Sequence, residues 1–74
     1  MNGTVIRVFL SKGFGFVRGD EDGTSRFMHV SDLQPIQAFD HLREGQRVTF
    51  TPIDGQHGGE NRGPRAIDVH IIGA

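Results

Sequence analysis

Cysteine, tryptophan and tyrosine are all absent from this 74-residue chain. Without cysteine there is no disulfide framework, and zinc sites built on thiolates are excluded. Long apolar runs are missing too: Val8-Phe9-Leu10 is the longest, far short of the about 20 residues that a membrane-crossing helix needs. The opening MNGTV lacks the charged-then-apolar pattern of an export signal, so a cytoplasmic location and no membrane partner are expected. Net charge is −1, which excludes a uniformly basic surface; any attraction for an anion has to be local. His41, His57 and His70 are scattered and read as surface residues, so neither a metal nor a cofactor is expected. No serine, histidine and carboxylate constellation or paired-acid motif is evident, and the chain is not read as an enzyme.

What is present is glycine and phenylalanine. Eleven glycines and three prolines cut the chain into short segments, none of which holds a helical period beyond a turn or two. Thr4 to Leu10, Phe14 to Arg18, Ser25 to Val30, Arg47 to Ile53 and Arg65 to Ile72 are rich in Val, Ile, Phe and Thr and read as strands. Asp22-Gly23 is a hairpin signal, and Ser11-Lys12-Gly13 supplies a second turn. Val48 and Phe50 alternate with polar neighbours and assign one face to the core, as do Ile67, Val69 and Ile71 further on. Gln34 to Gly45 has room for a helical turn, and Asp54 to Gly63 is a polar, glycine-rich loop. One small domain of five antiparallel strands is expected to close into a barrel, because closure removes reactive sheet edges.

The stretch KGFGFVRG, from Lys12 to Gly19, carries the functional signal. Alternation along a strand puts Lys12, Phe14, Phe16 and Arg18 on one face and Gly13, Gly15 and Val17 on the other. Burying the first face would bury two cations with the rings, which is costly without partners. In SRFMHV, Phe27 and His29 again share a face, while Met28 and Val30 serve the core. Paired strands would then present Phe14, Phe16, Phe27 and His29 to solvent as a platform, flanked by cations. Stacking on rings plus attraction for phosphate is the chemistry of single-stranded nucleic-acid binding. Arg7, Lys12, Arg18 and Arg26 are interrupted by acids only at Asp20-Glu21-Asp22, so this part of a near-neutral chain is locally positive. That acidic turn is no calcium loop: its first ligand position would fall on Arg18 and its twelfth on His29.

These residues resemble the cold-shock domain, a five-stranded antiparallel barrel of the oligonucleotide-binding (OB-fold) class. Lys12-Gly13-Phe14-Gly15-Phe16-Val17 resembles that family's first ribonucleoprotein motif, and Phe27-Met28-His29-Val30 its second. Phe39 to Gln46 is similar to the family's loop phenylalanine leading into the next strand, and Arg62-Gly63-Pro64 to the turn entering the last one. The resemblance spans nearly the whole chain in the right order. It implies stacking by Phe14, Phe16, Phe27, His29 and Phe39, and strand contacts from Lys12 and Arg62. The implied partner is single-stranded RNA or DNA; the residues leave both a monomer and a strand-exchanged (domain-swapped) dimer open.

Four positions depart from the family pattern. Arg7 stands where a surface tryptophan is usual, Phe9 where asparagine is usual, and Val30 where a further stacking phenylalanine is common. Arg7 can lay its guanidinium plane on a base, whereas Val30 cannot replace a ring. Arg26 occupies a normally apolar inward position, and its stem is expected to snorkel out at the barrel end. A weaker or altered binder follows. The alternative is a small barrel whose former nucleic-acid platform binds another protein.

Overall fold

The computed structural model describes residues 1–53 and 64–72. Six strands make one sheet: β1 (Asn2–Phe9), β2 (Phe14–Gly19), β3 (Ser25–His29), β4 (Leu33–Gln34), β5 (Arg47–Ile53) and β6 (Arg65–Ile71). The five long strands are those expected, and β4 adds a two-residue strand parallel to β6. Their order is β3-β2-β1-β5-β6-β4. The barrel closes where Phe27 of β3 meets Arg65 of β6 in a parallel pairing, with the Phe27 amide donating to the Pro64 carbonyl at 3.1 Å. The helical turn expected after Gln34 is a 3₁₀ segment, Ile36–His41. The loop from Asp54 to Gly63 lies outside the described residues.

The inside is filled by Val5, Val17, Met28, Leu33, Phe39, Leu42, Val48, Phe50, Ala66 and Val69, all buried. Strict alternation fails on two strands, each time through one extra residue. In β1, Val5 pairs with Val17 and Arg7 with Phe16, so Ile6 has no opposite number. This bulge moves Arg7 and Phe9 to the outer face and turns Val8 toward the core. In β6, Asp68 adopts φ 50° between the Thr51–Ile67 and Thr49–His70 pairs. The inward residues are therefore Ala66 and Val69, and Ile67 does not share the buried face assigned to it from alternation.

Gly13 and Gly15, which shape the platform strands, are required by geometry. Gly13, at φ 77°, closes the β1–β2 turn with its amide on the Phe9 carbonyl at 2.9 Å. Gly15 faces the β1 bulge so closely that a Cβ there would lie 2.6 Å from the Arg7 carbonyl oxygen.

Arg26 corrects the sequence expectation. It does not snorkel out; it is 1% exposed and packs over the Phe50 ring at 5.7 Å. Its guanidinium is gripped at 2.7 and 3.3 Å by the two carboxylate oxygens of Asp22, four residues earlier in the β2–β3 turn. A buried charge is tolerated when such a partner satisfies it. The same turn supplies Asp20 to Arg47, which also donates to Thr4 Oγ1 at 2.8 Å. Hydrogen bonds from Arg26 and from the Thr24 amide hold the Asp22 carboxyl at about 2, against an ordinary 3.8.

Two outcomes follow from these contacts. Gly15→Ala is expected to cost about 1–3 kcal/mol by overpacking against the bulge, read from urea unfolding. Because the folded-state value of Asp22 is depressed, its contribution to stability is complete above 3.8 and is lost as pH falls toward 2. The melting temperature of the wild type should therefore drop across that interval by more than that of Asp22→Asn. Equal drops would show that this pair does not set the acid limit.

Candidate nucleic-acid interface

Cross-strand pairing assembles the outer face. Arg7 and Phe9 on β1 stand opposite Phe16 and Phe14 on β2, which in turn stand opposite Phe27 and His29 on β3. Four rings form one continuous surface. Phe9 lies 4.9 Å from Phe14, Phe14 lies 5.5 Å from Phe27, and Phe16 meets Phe14 and Phe27 edge-on at 6.2 and 5.9 Å. These are favourable aromatic separations, so the rings support one another without a ligand. All four remain partly exposed, and His29 is exposed.

A cation closes each end of this surface. The Arg7 guanidinium sits 5.3 Å from the Phe9 ring centre, and that of Arg65 sits 5.9 Å from the Phe27 ring centre. Lys12 is exposed in the β1–β2 turn, beside the Phe9–Phe14 pair. Phe16, Phe27, His29 and Arg65 border an open hollow of about 400 Å³.

His29 is held by its neighbours. Its Nδ1 accepts the Ser31 amide at 3.1 Å and lies 2.9 Å from Ser31 Oγ, while its own amide donates to Asp32 Oδ2 at 3.0 Å. A neutral imidazole whose Nδ1 is an acceptor carries its proton on Nε2, so the remaining nitrogen is a donor. The same Asp32 oxygen accepts from Arg65 Nη2 at 2.8 Å.

Of the residues singled out in the sequence, Arg7, Lys12, Phe14, Phe16, Phe27 and His29 come together here. Phe39 does not. It is 4% exposed and belongs to the core, because the 3₁₀ segment turns it inward among the barrel side chains. Arg62 lies outside the described residues. Val30 is half-buried and packs against the core, adding no ring to the platform. Phe9 enters the sequence reading only as a departure from the family pattern, and Arg65 escapes it as a site residue. Phe9 is displaced by a bulge that no residue pattern marks, although its place two residues after Arg7 links the two. Arg65 arrives through barrel closure, which pairs residues far apart in the chain and leaves no local trace.

Among the described residues no group of histidines and acids is placed to hold a metal ion, and no helix is long and apolar enough to cross a membrane. Comparison with known proteins agrees with the geometry. The model of the family described as the "cold-shock" DNA-binding domain matches residues 1–72. The chain is 47% identical over 68 residues to cold shock protein 2 of Lactiplantibacillus plantarum, covering 92% of each. It is 42% identical over 71 residues to the major cold shock protein CspA of Pseudomonas aeruginosa, covering 96% of this chain and 93% of the relative. A cold shock-like protein of Aquifex aeolicus is 32% identical across the same shares.

The core position of Phe39 has a direct test. Phe39→Ala is expected to remove about 3–5 kcal/mol of stability, enough to unfold most of so small a domain at room temperature. Circular dichroism and chemical denaturation report it. A variant as stable as the wild type would return Phe39 to the surface.

Proposed function

This chain belongs to the cold-shock domain family, and from that premise we propose that it binds single-stranded RNA or DNA with broad sequence tolerance, acting in the cytoplasm as an RNA chaperone or a regulator of transcription or translation. The observation that carries the reading is the continuous cluster of Phe9, Phe14, Phe16 and Phe27, with the Arg7 guanidinium over Phe9 and that of Arg65 over Phe27. Rings accept any base face, and cations meet phosphates whatever the sequence. One chain supplies every side chain of the platform.

The magnitudes describe a trap for opened strands, not a motor. Stacking a base on an aromatic side chain contributes about 1–3 kcal/mol, while a duplex step is worth about 1.4 kcal/mol on average. Occupying a few bases therefore offsets the pairing of a short hairpin and leaves long duplexes intact. No nucleotide hydrolysis is called for. Relative to the family pattern, the platform gains a ring at Phe9 and lacks one at Val30, so the bound strand is shifted toward β1.

Phe14→Ala combined with Phe27→Ala should lower affinity for a single-stranded heptamer by at least about thirtyfold, two stacking contacts being lost. Cooperative unfolding should be retained. Wild-type affinity should fall with salt along a log-log slope of about −0.7 for each phosphate contact. Binding that survives the double substitution defeats the platform reading, and a flat salt response redirects it toward a protein partner.

A further inference from the structure

Arg65 is fixed in position yet keeps most of its donors. Its guanidinium lies over the Phe27 ring, 5.9 Å from the centroid, and Nη2 is tied to Asp32 Oδ2 at 2.8 Å. Asp32 is itself anchored, because the same oxygen accepts the His29 amide at 3.0 Å. Nη1 makes no hydrogen bond among the described residues, and Nε is shielded from solvent without a partner. A guanidinium has five N–H donors and no acceptor. Here one donor is committed and the shielded Nε–H is out of a ligand's reach, so three N–H donors on Nη1 and Nη2 remain, oriented by the bond to Asp32. Holding a group in its binding geometry beforehand lowers the entropy lost when a ligand arrives.

The hollow beside it is bordered by two rings, Phe16 and Phe27, and by two polar side chains, His29 and Arg65. The imidazole of His29 keeps Nε2–H as its free polar edge, because Nδ1 accepts the Ser31 amide. Arg65 can only donate. A base lying on Phe27 therefore finds donors from both polar side chains of the hollow and acceptors from neither. Guanine offers N7 and O6, two adjacent acceptors that fit a guanidinium fork; adenine offers N7 beside an amino group, which would face a second donor. Both purines present the same stacking surface, so the polar edge separates them.

Resting on the strand-binding reading above, we propose that Arg65, oriented by Asp32, reads the base edge and makes the Phe27 position prefer guanine over adenine. Arg65 is the specificity-determining residue, and Asp32 is a positioning residue that acts through it. The remainder of the platform stays tolerant of sequence, so the chain binds many strands and selects among them at one place.

The test is a titration of the whole chain with heptathymidylates carrying one central guanine, adenine or 7-deazaguanine, which has carbon in place of N7. The guanine strand should bind about tenfold more tightly than the adenine strand, the lower range for a bidentate arginine contact. Replacement by 7-deazaguanine should remove most of that gap in the unaltered protein, independently of any variant's folding. Arg65→Gln should bring guanine and adenine to within about twofold. Asp32→Asn removes a negative charge, so it should tighten both strands while narrowing their ratio, which a purely structural role would not do. Equal binding of the two strands by the wild type, or a ratio unchanged in Arg65→Gln, overturns the inference and leaves strand binding standing. Failure of every heptamer to bind overturns both.

Discussion

Between Val5 and Arg7 the first strand carries one residue more than its partner, and the outer surface is arranged around that insertion. Under strict alternation Val5, Arg7 and Phe9 would share a face, and Val5 is buried. A cation and a ring would then compete for a small interior. The bulge reverses the phase after Val5, so the strand faces the core through Gly3 and Val5 in its first half and through Val8 in its second, leaving Arg7 and Phe9 outside. It requires an opposing residue without a side chain, and Gly15 stands opposite Val8, against the Arg7 carbonyl. The glycine between two phenylalanines is thus a condition for the neighbouring strand to present Arg7 and Phe9.

Charge follows a similar economy at the barrel end. Asp20 and Asp22 look repellent to phosphate in the sequence, yet each is joined to an arginine, Asp20 to Arg47 and Asp22 to Arg26. One of these cations is fully buried, and its carboxylate partner keeps it so. Asp32 has the corresponding place at the edge of the platform, between Arg65 and the His29 amide. Asp20, Asp22 and Asp32 each hold an arginine, and of those three Arg65 is the one beside the rings.

The sequence disclosed what depends on local alternation. On β2 and β3 no residue interrupts the pairing, so Phe14, Phe16, Phe27 and His29 could be assigned to one outer face from their spacing. The boundaries of Arg47–Ile53 were legible for the same reason. Three things were not. Bulges at Ile6 and Asp68 change the phase without any marker residue. Phe39 lies on a 3₁₀ segment too short to show a period, so whether its ring turned in or out was decided by available core volume. Arg65 and Arg26 depend on partners brought by tertiary structure, one across the closing pair of strands and one from a turn.

That closing pair lies directly beneath the ring surface. Among the described residues, a single parallel rung at Phe27 and Arg65, with a backbone bond from Phe27 to Pro64, completes the cylinder. Any strand of nucleic acid resting across Phe27 and Arg65 spans this seam like a clasp. Occupancy and closure are then linked by mass action, since a ligand that binds the closed form alone stabilises it. Under the proposed strand binding, a chain without cysteine would thereby be cross-linked, reversibly and without covalent chemistry, by its ligand.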